Sequence, residues 1–196
     1  MTPTNNKGPT TVCFTGHRPK DLYGYGPEHD FDYIHLATDI EFLTCTRLHE
    51  SHDVTRFITG GAQGSDQCAF WAVEHMKEMG YAVRNDLFVP FAGQDERWAS
   101  AGLFGRRKYA EMLERADSVT DCSMPGNGAI ANLMRRNRAM VDASDIVVCV
   151  WNKPWRPGIG GERGGTNACV CCALKRGRPV FVHDLVRNEQ YWLGIR

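Results

Sequence analysis

Residues 54–76 read VTRFITGGAQGSDQCAFWAVEHM. The β-branched and aromatic run over 54–60 predicts a short strand, cut off by Gly60, Gly61 and Gly64. Ser65 and Asp66 then supply a capping hydroxyl and a first-turn acid. Cys68, Ala69, Ala72, Val73 and Met76 recur at helical spacing, and Gly80 stops the helix. A strand, a glycine turn and a helix in immediate succession form the building unit of a doubly wound α/β sheet.

The same arrangement returns on both sides of this stretch. Upstream, the run 11–16 ends in Thr15 and Gly16 and is followed at once by His17, Arg18 and Pro19. Downstream, the run 145–151 ends in Trp151, is followed by Asn152 and leads through a long loop to GGERGGTNA, where Gly164, Gly165, Thr166 and Asn167 open the next helix. Further strands are predicted over 82–90 and 179–183, with a weaker one over 118–122. Helices are predicted over 31–51, 65–79, 95–116, 129–143 and 165–176. Strands apolar on both faces call for helices on both sides. The fold class expected is therefore α/β, Rossmann-like and doubly wound, with a mainly parallel sheet of five or more strands and helices on both faces.

In such sheets ligands bind beyond the carboxyl ends of the strands, and all three glycine turns fall there. Glycine turns allow close backbone approach, helix N-termini favour anions, and Arg18 offers a planar charged donor set. Each loop taken alone is equally well explained by turn geometry and simple capping. None matches the dinucleotide pattern GxGxxG in position, and none is GxxxxGK[ST]. Arg136 and Asn137 lie on the helix that leads into the strand ending at Trp151. Tyr23, Tyr25, Trp98, Trp151 and Trp155 are aromatic groups able to stack on a ring, although Trp151 also suits the end of a buried strand.

The totals fit one domain over 11–196 with a flexible tail over 1–10. Lys plus Arg and Asp plus Glu both number 23, a balance that does not favour a protein coating nucleic acid. No apolar run approaches the about 20 residues of a membrane helix, and MTPTNNKGPT lacks a secretory core, so a cytoplasmic protein is expected. Of the eight cysteines, Cys169 and Cys172 form a CxxC pair without a second half-site, so no metal is expected.

Together, FTGHRP, ITGGAQGSD, RNRAMVDASD and GGTNACVCCALKRGRPV resemble the SLOG superfamily, and within it the YspA/YpsA-like group of small bacterial and phage proteins. That superfamily joins DprA/Smf-type DNA-processing proteins to LOG-type phosphoribohydrolases. The resemblance implies a Rossmann-like fold whose glycine loops bind nucleotides or nucleotide-derived signals, with roles in bacterial conflict and a tendency to form homo-oligomers. A phage-encoded member would act in the host cytoplasm. In LOG-type enzymes an arginine precedes the strand entry, and Arg136 falls at that position. Their glycine–threonine pair corresponds to Gly165 and Thr166, but their glutamate position is Cys169.

The first reading is thus a sensor or sequestering protein for a nucleotide-derived small molecule, with no cofactor. Phosphate would lie on the backbone of Gly60, Gly61, Ala62 and Gly64 and of Gly164, Gly165 and Thr166. His17, Arg18 and Arg136 would neutralise its charge, and Asp66 or Asn137 would meet ribose hydroxyls. The second reading is a nucleotide hydrolase, with Arg136, Asp66 and Glu162 as catalytic candidates. The third is a DprA-like nucleic-acid module.

Overall fold

The structure, a computed structural model, describes residues 10–158 and 164–195. All seven strands join one sheet in the order β4-β3-β2-β1-β5-β6-β7. Strands β1 (Thr10–Gly16), β2 (Val54–Thr59), β3 (Arg84–Val89) and β4 (Ser118–Asp121) step outward on one side. Strands β5 (Ile146–Trp151), β6 (Val180–Asp184) and β7 (Glu189–Leu193) step outward on the other. Every pairing is parallel except β6 with β7. The order reverses between β1 and β5, which makes their carboxyl ends the switch point of a doubly wound sheet.

Alternation along the central strands shows why both faces need cover. Val12 and Phe14 of β1 join one apolar cluster with Ile146, Val148 and Val150 of β5. Cys13, Val147, Cys149 and Trp151 point into a second cluster on the opposite face. The first is closed by α1 (Asp30–Asp39) and α3 (Ser65–Glu78), which contribute Tyr33, Leu36, Ala69 and Val73. The second is closed by α5 (Ala129–Asp142) and α6 (Gly165–Lys175), through Met140, Val141, Cys169 and Val170.

Several boundaries differ from expectation. Thr10 opens β1 rather than belonging to a tail, and the other residues expected in that tail lie outside the described ones. The helix expected over 31–51 is a continuous helical run from Asp30 to His52, in which α1 and α2 (Arg47–His52) flank a π-helical stretch, Ile40–Thr46. The long helix expected over 95–116 shortens to α4 (Arg106–Arg115), because the chain before it turns repeatedly and passes through Gly102 at φ +94°. β7 was not expected. It folds back on β6 through a turn in which Asn188 takes a left-handed φ of 49°.

Candidate functional site

The carboxyl ends of β1 and β5 open into a cavity of about 790 Å³. Its walls come from five places in the chain. The β1 loop gives Thr15, Gly16, His17, Arg18, Lys20 and Asp21, and the β2–α3 turn gives Ala62 and Asp66. Helix α5 gives Leu133, Met134, Arg136 and Asn137, and the end of β5 gives Trp151, Lys153 and Trp155. The start of α6 gives Gly164, Gly165, Thr166 and Asn167.

Close approach of backbone segments builds this mouth. A Cβ on Gly16 would lie 2.4 Å from Cβ of Ser65, so only glycine lets the end of β1 pass against the first turn of α3. The hydroxyl of Ser65 donates to the His17 carbonyl at 3.1 Å, and that of Thr166 donates to the Gly16 carbonyl at 2.7 Å. Both hydroxyls therefore stitch the three loops together instead of pointing donors at a ligand. Gly16 and Gly165 lie on the same edge of the sheet, as doubly wound topology demands.

At the inner end, Arg136 and Asp66 meet. Arg136 is 5% exposed and Asp66 6%, and Arg136 Nη1 donates to Asp66 Oδ2 at 3.0 Å. The same carboxylate oxygen accepts the Ala62 backbone N–H at 3.4 Å. A Cβ on Gly60 would stand 1.1 Å from Arg136 Nη1, so the missing side chain at Gly60 is what admits the guanidinium. The β2–α3 turn thus receives the protein's own carboxylate. Gly60, Gly61 and Gly64, expected to carry phosphate on their backbone, are not among the residues lining the cavity: Gly60 gives room to Arg136 and Asp66, Gly61 passes against Leu87 and Tyr109, and Gly64 passes against the His17 carbonyl. Arg136 Nε is buried with no partner among the described residues.

At the outer end, Arg18, Lys20 and Lys153 gather with Asp21, the one carboxylate there among the described residues, which Lys153 engages at 2.8 Å. That bond holds the Asp21 carboxyl below its usual range. Lys20 and Lys153 escaped the sequence reasoning, although each stands within two residues of a position already singled out. Helix α6 points its N-terminus into the same space, adding a partial positive charge.

His17 does not behave as the cation expected. Burial, aided by the charge of Lys153, lowers its pKa from 6.5 to about 4, so the ring is neutral at pH 7. It packs 4.8 Å from the Trp151 ring, and its Nε2 is buried without a partner among the described residues. Trp151 is only 2% exposed and donates through Nε1 to the Trp155 carbonyl at 2.5 Å, so it forms wall rather than platform. Trp155, 38% exposed, is the aromatic face left at the rim. Asn152 lies off the cavity, where its side-chain amide donates to the Asp21 carbonyl at 2.9 Å. Asn167 accepts the Gly158 N–H at 2.7 Å and so closes the loop after β5.

The catalytic candidates divide. Arg136 and Asp66 are together but joined to each other, and Glu162 lies outside the described residues. Cys169, at the position of the LOG-type glutamate, is 2% exposed, and burial pushes its thiol up to about 11. Among the described residues no helix is long and apolar enough to cross a membrane.

Comparison with known proteins places this geometry. The chain is 32% identical over 130 residues to the uncharacterized SPbeta prophage-derived protein YoqJ of Bacillus subtilis (strain 168), covering 61% of this chain and 70% of that protein. It is 25% identical over 149 residues to the UPF0398 protein BH1768 of Halalkalibacterium halodurans, covering 74% and 75%. Among solved structures it is similar to DNA processing protein A from Helicobacter pylori, described for its single-stranded DNA binding mode. That likeness has a TM-score of 0.50 at 16% identity over 89% of this chain and 65% of the other, so this chain spans less than two thirds of that protein. It shows a shared Rossmann-like fold. Residues 12–157, most of the chain, match the family described as YpsA, and on that match the chain belongs to the YspA SLOG family.

Proposed function

We propose that this protein binds a phosphorylated, nucleotide-derived small molecule in the cavity at the β1–β5 switch point, as a sensor or a sequestering protein. The observation that carries this reading is Arg136. It is a buried arginine, 5% exposed, that lines a cavity of ligand size and is held to Asp66 through Nη1. Arg18, Lys20, Lys153 and the N-terminus of α6 supply the complement for phosphate at the other end. Trp155 and the side chains of Leu133 and Met134 offer apolar surface for a base. On this reading the whole of 11–196 works as one domain in the cytoplasm, with no cofactor.

The test is calorimetric titration with nucleoside mono- and diphosphates, alongside mass spectrometry of small molecules released from freshly purified protein. Arg18→Ala should weaken binding at least about tenfold, since hydrogen bonds to charged groups are worth about 1.5–3 kcal/mol. Unchanged affinity would remove Arg18 from the site. The shared fold makes single-stranded DNA the control ligand. Tight binding that falls steeply with salt, with no response to mononucleotides, would replace the small-molecule reading by a nucleic-acid one.

A further inference from the structure

We infer that the Arg136–Asp66 pair recognises the vicinal diol of a ribose, so that the cavity takes a ribonucleotide in preference to its 2′-deoxy counterpart and holds the phosphate at the opposite end. This rests on the reading of the cavity as a phosphorylated-ligand site, and it adds an orientation and a selectivity.

The two ends of the cavity differ in kind. Among the described residues, the outer end sets three cations against one carboxylate. At the inner end one guanidinium faces one carboxylate at 3.0 Å, and the pair is neutral as a unit. A phosphate placed there would set a second anion against the buried Asp66 carboxylate, and like-charge juxtaposition away from water is strongly unfavourable.

The pair nevertheless keeps hydrogen-bonding capacity. Asp66 Oδ2 is engaged by Arg136 and by the Ala62 N–H, whereas Oδ1 has no partner among the described residues. Arg136 bonds through Nη1 to Asp66 and to the Met140 sulfur, whereas Nη2 has no such partner. Neither Oδ1 nor Nη2 is among the fully occluded polar atoms, and both residues line the cavity, so these two atoms open onto it. The inner end therefore presents one acceptor beside one donor. A vicinal diol matches that pattern, with one hydroxyl donating to Oδ1 and its neighbour accepting from Nη2.

The two groups start from different strands: Asp66 follows β2, Lys153 and Trp155 follow β5, and β1, which Arg18 and Lys20 follow, lies between them. A site whose buried polar groups expect a hydroxyl discriminates against the analogue that leaves them unpaired.

The experiment titrates the protein with each ribonucleoside 5′-monophosphate and its 2′-deoxy counterpart, with inorganic pyrophosphate as an anion without a sugar. For the base that binds best, the ribo form should bind about 10- to 100-fold more tightly than the deoxy form, the range set by one charge-assisted hydrogen bond. In Asp66→Asn that ratio should fall to about twofold, while Arg18→Ala should weaken both forms alike and preserve the ratio. Ribo and deoxy forms bound equally by the wild-type protein would overturn the inference and leave the phosphate site standing. So would a ratio that survives Asp66→Asn. The wild-type comparison decides the matter even if that variant fails to fold. Absence of binding by every nucleotide and by pyrophosphate would overturn both this inference and the function on which it rests.

Discussion

Replacing Gly60 by alanine should unseat Arg136. The added Cβ would stand 1.1 Å from Nη1, 2.2 Å from Cζ and 2.7 Å from Asp66 Oδ2, so the guanidinium has to leave its place. Gly60 carries no positive φ, so the backbone itself accepts alanine, and the altered unfolded state would favour the variant by about 0.4–1 kcal/mol. Against that gain stands a carboxylate at 6% exposure stripped of its cation. Breaking a buried pair from one side costs about 3–5 kcal/mol. The cavity lets the displaced guanidinium regain some solvent, which points to the lower end of that range. The net loss expected is about 2–3 kcal/mol. For a protein of this length each kcal/mol moves Tm by about 2–4 °C, so scanning calorimetry should show a fall of about 4–12 °C. The decisive comparison repeats Gly60→Ala in an Arg136→Ala, Asp66→Asn background, where no guanidinium stands in the way. There the substitution should be neutral or slightly stabilising. A loss under about 1 kcal/mol in the wild-type background, or the same loss in both, would refute the claim that Gly60 exists to seat Arg136.

Three other outcomes follow from the same geometry. His17, with its pKa lowered from 6.5 to about 4, contributes stability that is complete above pH 6.5 and is lost as pH falls toward 4, because the unfolded chain takes up the proton first. Urea titrations from pH 7 to 4.5 should show a loss from this residue of at most about 3 kcal/mol, and an equally steep loss in His17→Asn would assign the effect elsewhere. Incubation with nucleoside monophosphates should release little free base by chromatography; many turnovers, abolished by Arg136→Ala, would make the protein a hydrolase. The self-association implied by the family resemblance is expected through Ile34 and Phe42, exposed residues that line an apolar groove together with Leu103 and Phe104, so light scattering should give more than 22 kDa for the wild type and 22 kDa for Phe42→Glu. A wild-type particle of 22 kDa at high concentration would reject it.

Much of the architecture was legible because it is local. The stretch from Val54 to Met76 carries its strand, turn and helix in consecutive residues, and the β1 and β5 units repeat that grammar. What escaped had no local signature. β7 runs Glu189-Gln-Tyr-Trp-Leu, polar at its start, and it becomes a strand only by pairing with β6 across a turn. The stretch before α4 carries Asp95, Glu96, Arg97 and Trp98 without a helix breaker among them, but Gly102 and Gly105 follow and the chain stays in turns until Arg106. The site divides in the same way. Which loops converge follows from topology, and the sequence pointed to residues on each of them but missed Lys20, Asp21, Leu133, Met134 and Lys153. What each side chain does there depends on partners distant in the chain. Asp66 and Arg136 are 70 residues apart, Thr166 reaches Gly16 across 150, and the neutrality of His17 is set by burial and by Lys153.

The chemistry of the inner end bears on binding against turnover. Cleaving an N-glycosidic bond calls for a carboxylate beside the developing positive charge. At the position where LOG-type enzymes keep that group stands Cys169, buried one turn into α6 and neutral at pH 7 because burial pushes its thiol up to about 11. The carboxylate of Asp66 lines the same cavity, yet Arg136 and the Ala62 N–H share its Oδ2. To serve a cleavage step, Asp66 would have to favour the transition state more than it favours Arg136, and only interactions that strengthen along the reaction raise its rate. The Arg136–Asp66 ion pair is held within the protein by its own partners, which suits recognition of a neutral hydroxyl pair. On the proposed reading, loops stitched by Ser65 and Thr166, a guanidinium seated by the absence of a side chain at Gly60, and cations gathered at the far end would fix a ligand in place. Cys169, at the glutamate position of the LOG-type pattern, lies in the core, so the carboxylate that a cleavage step needs would have to come from elsewhere.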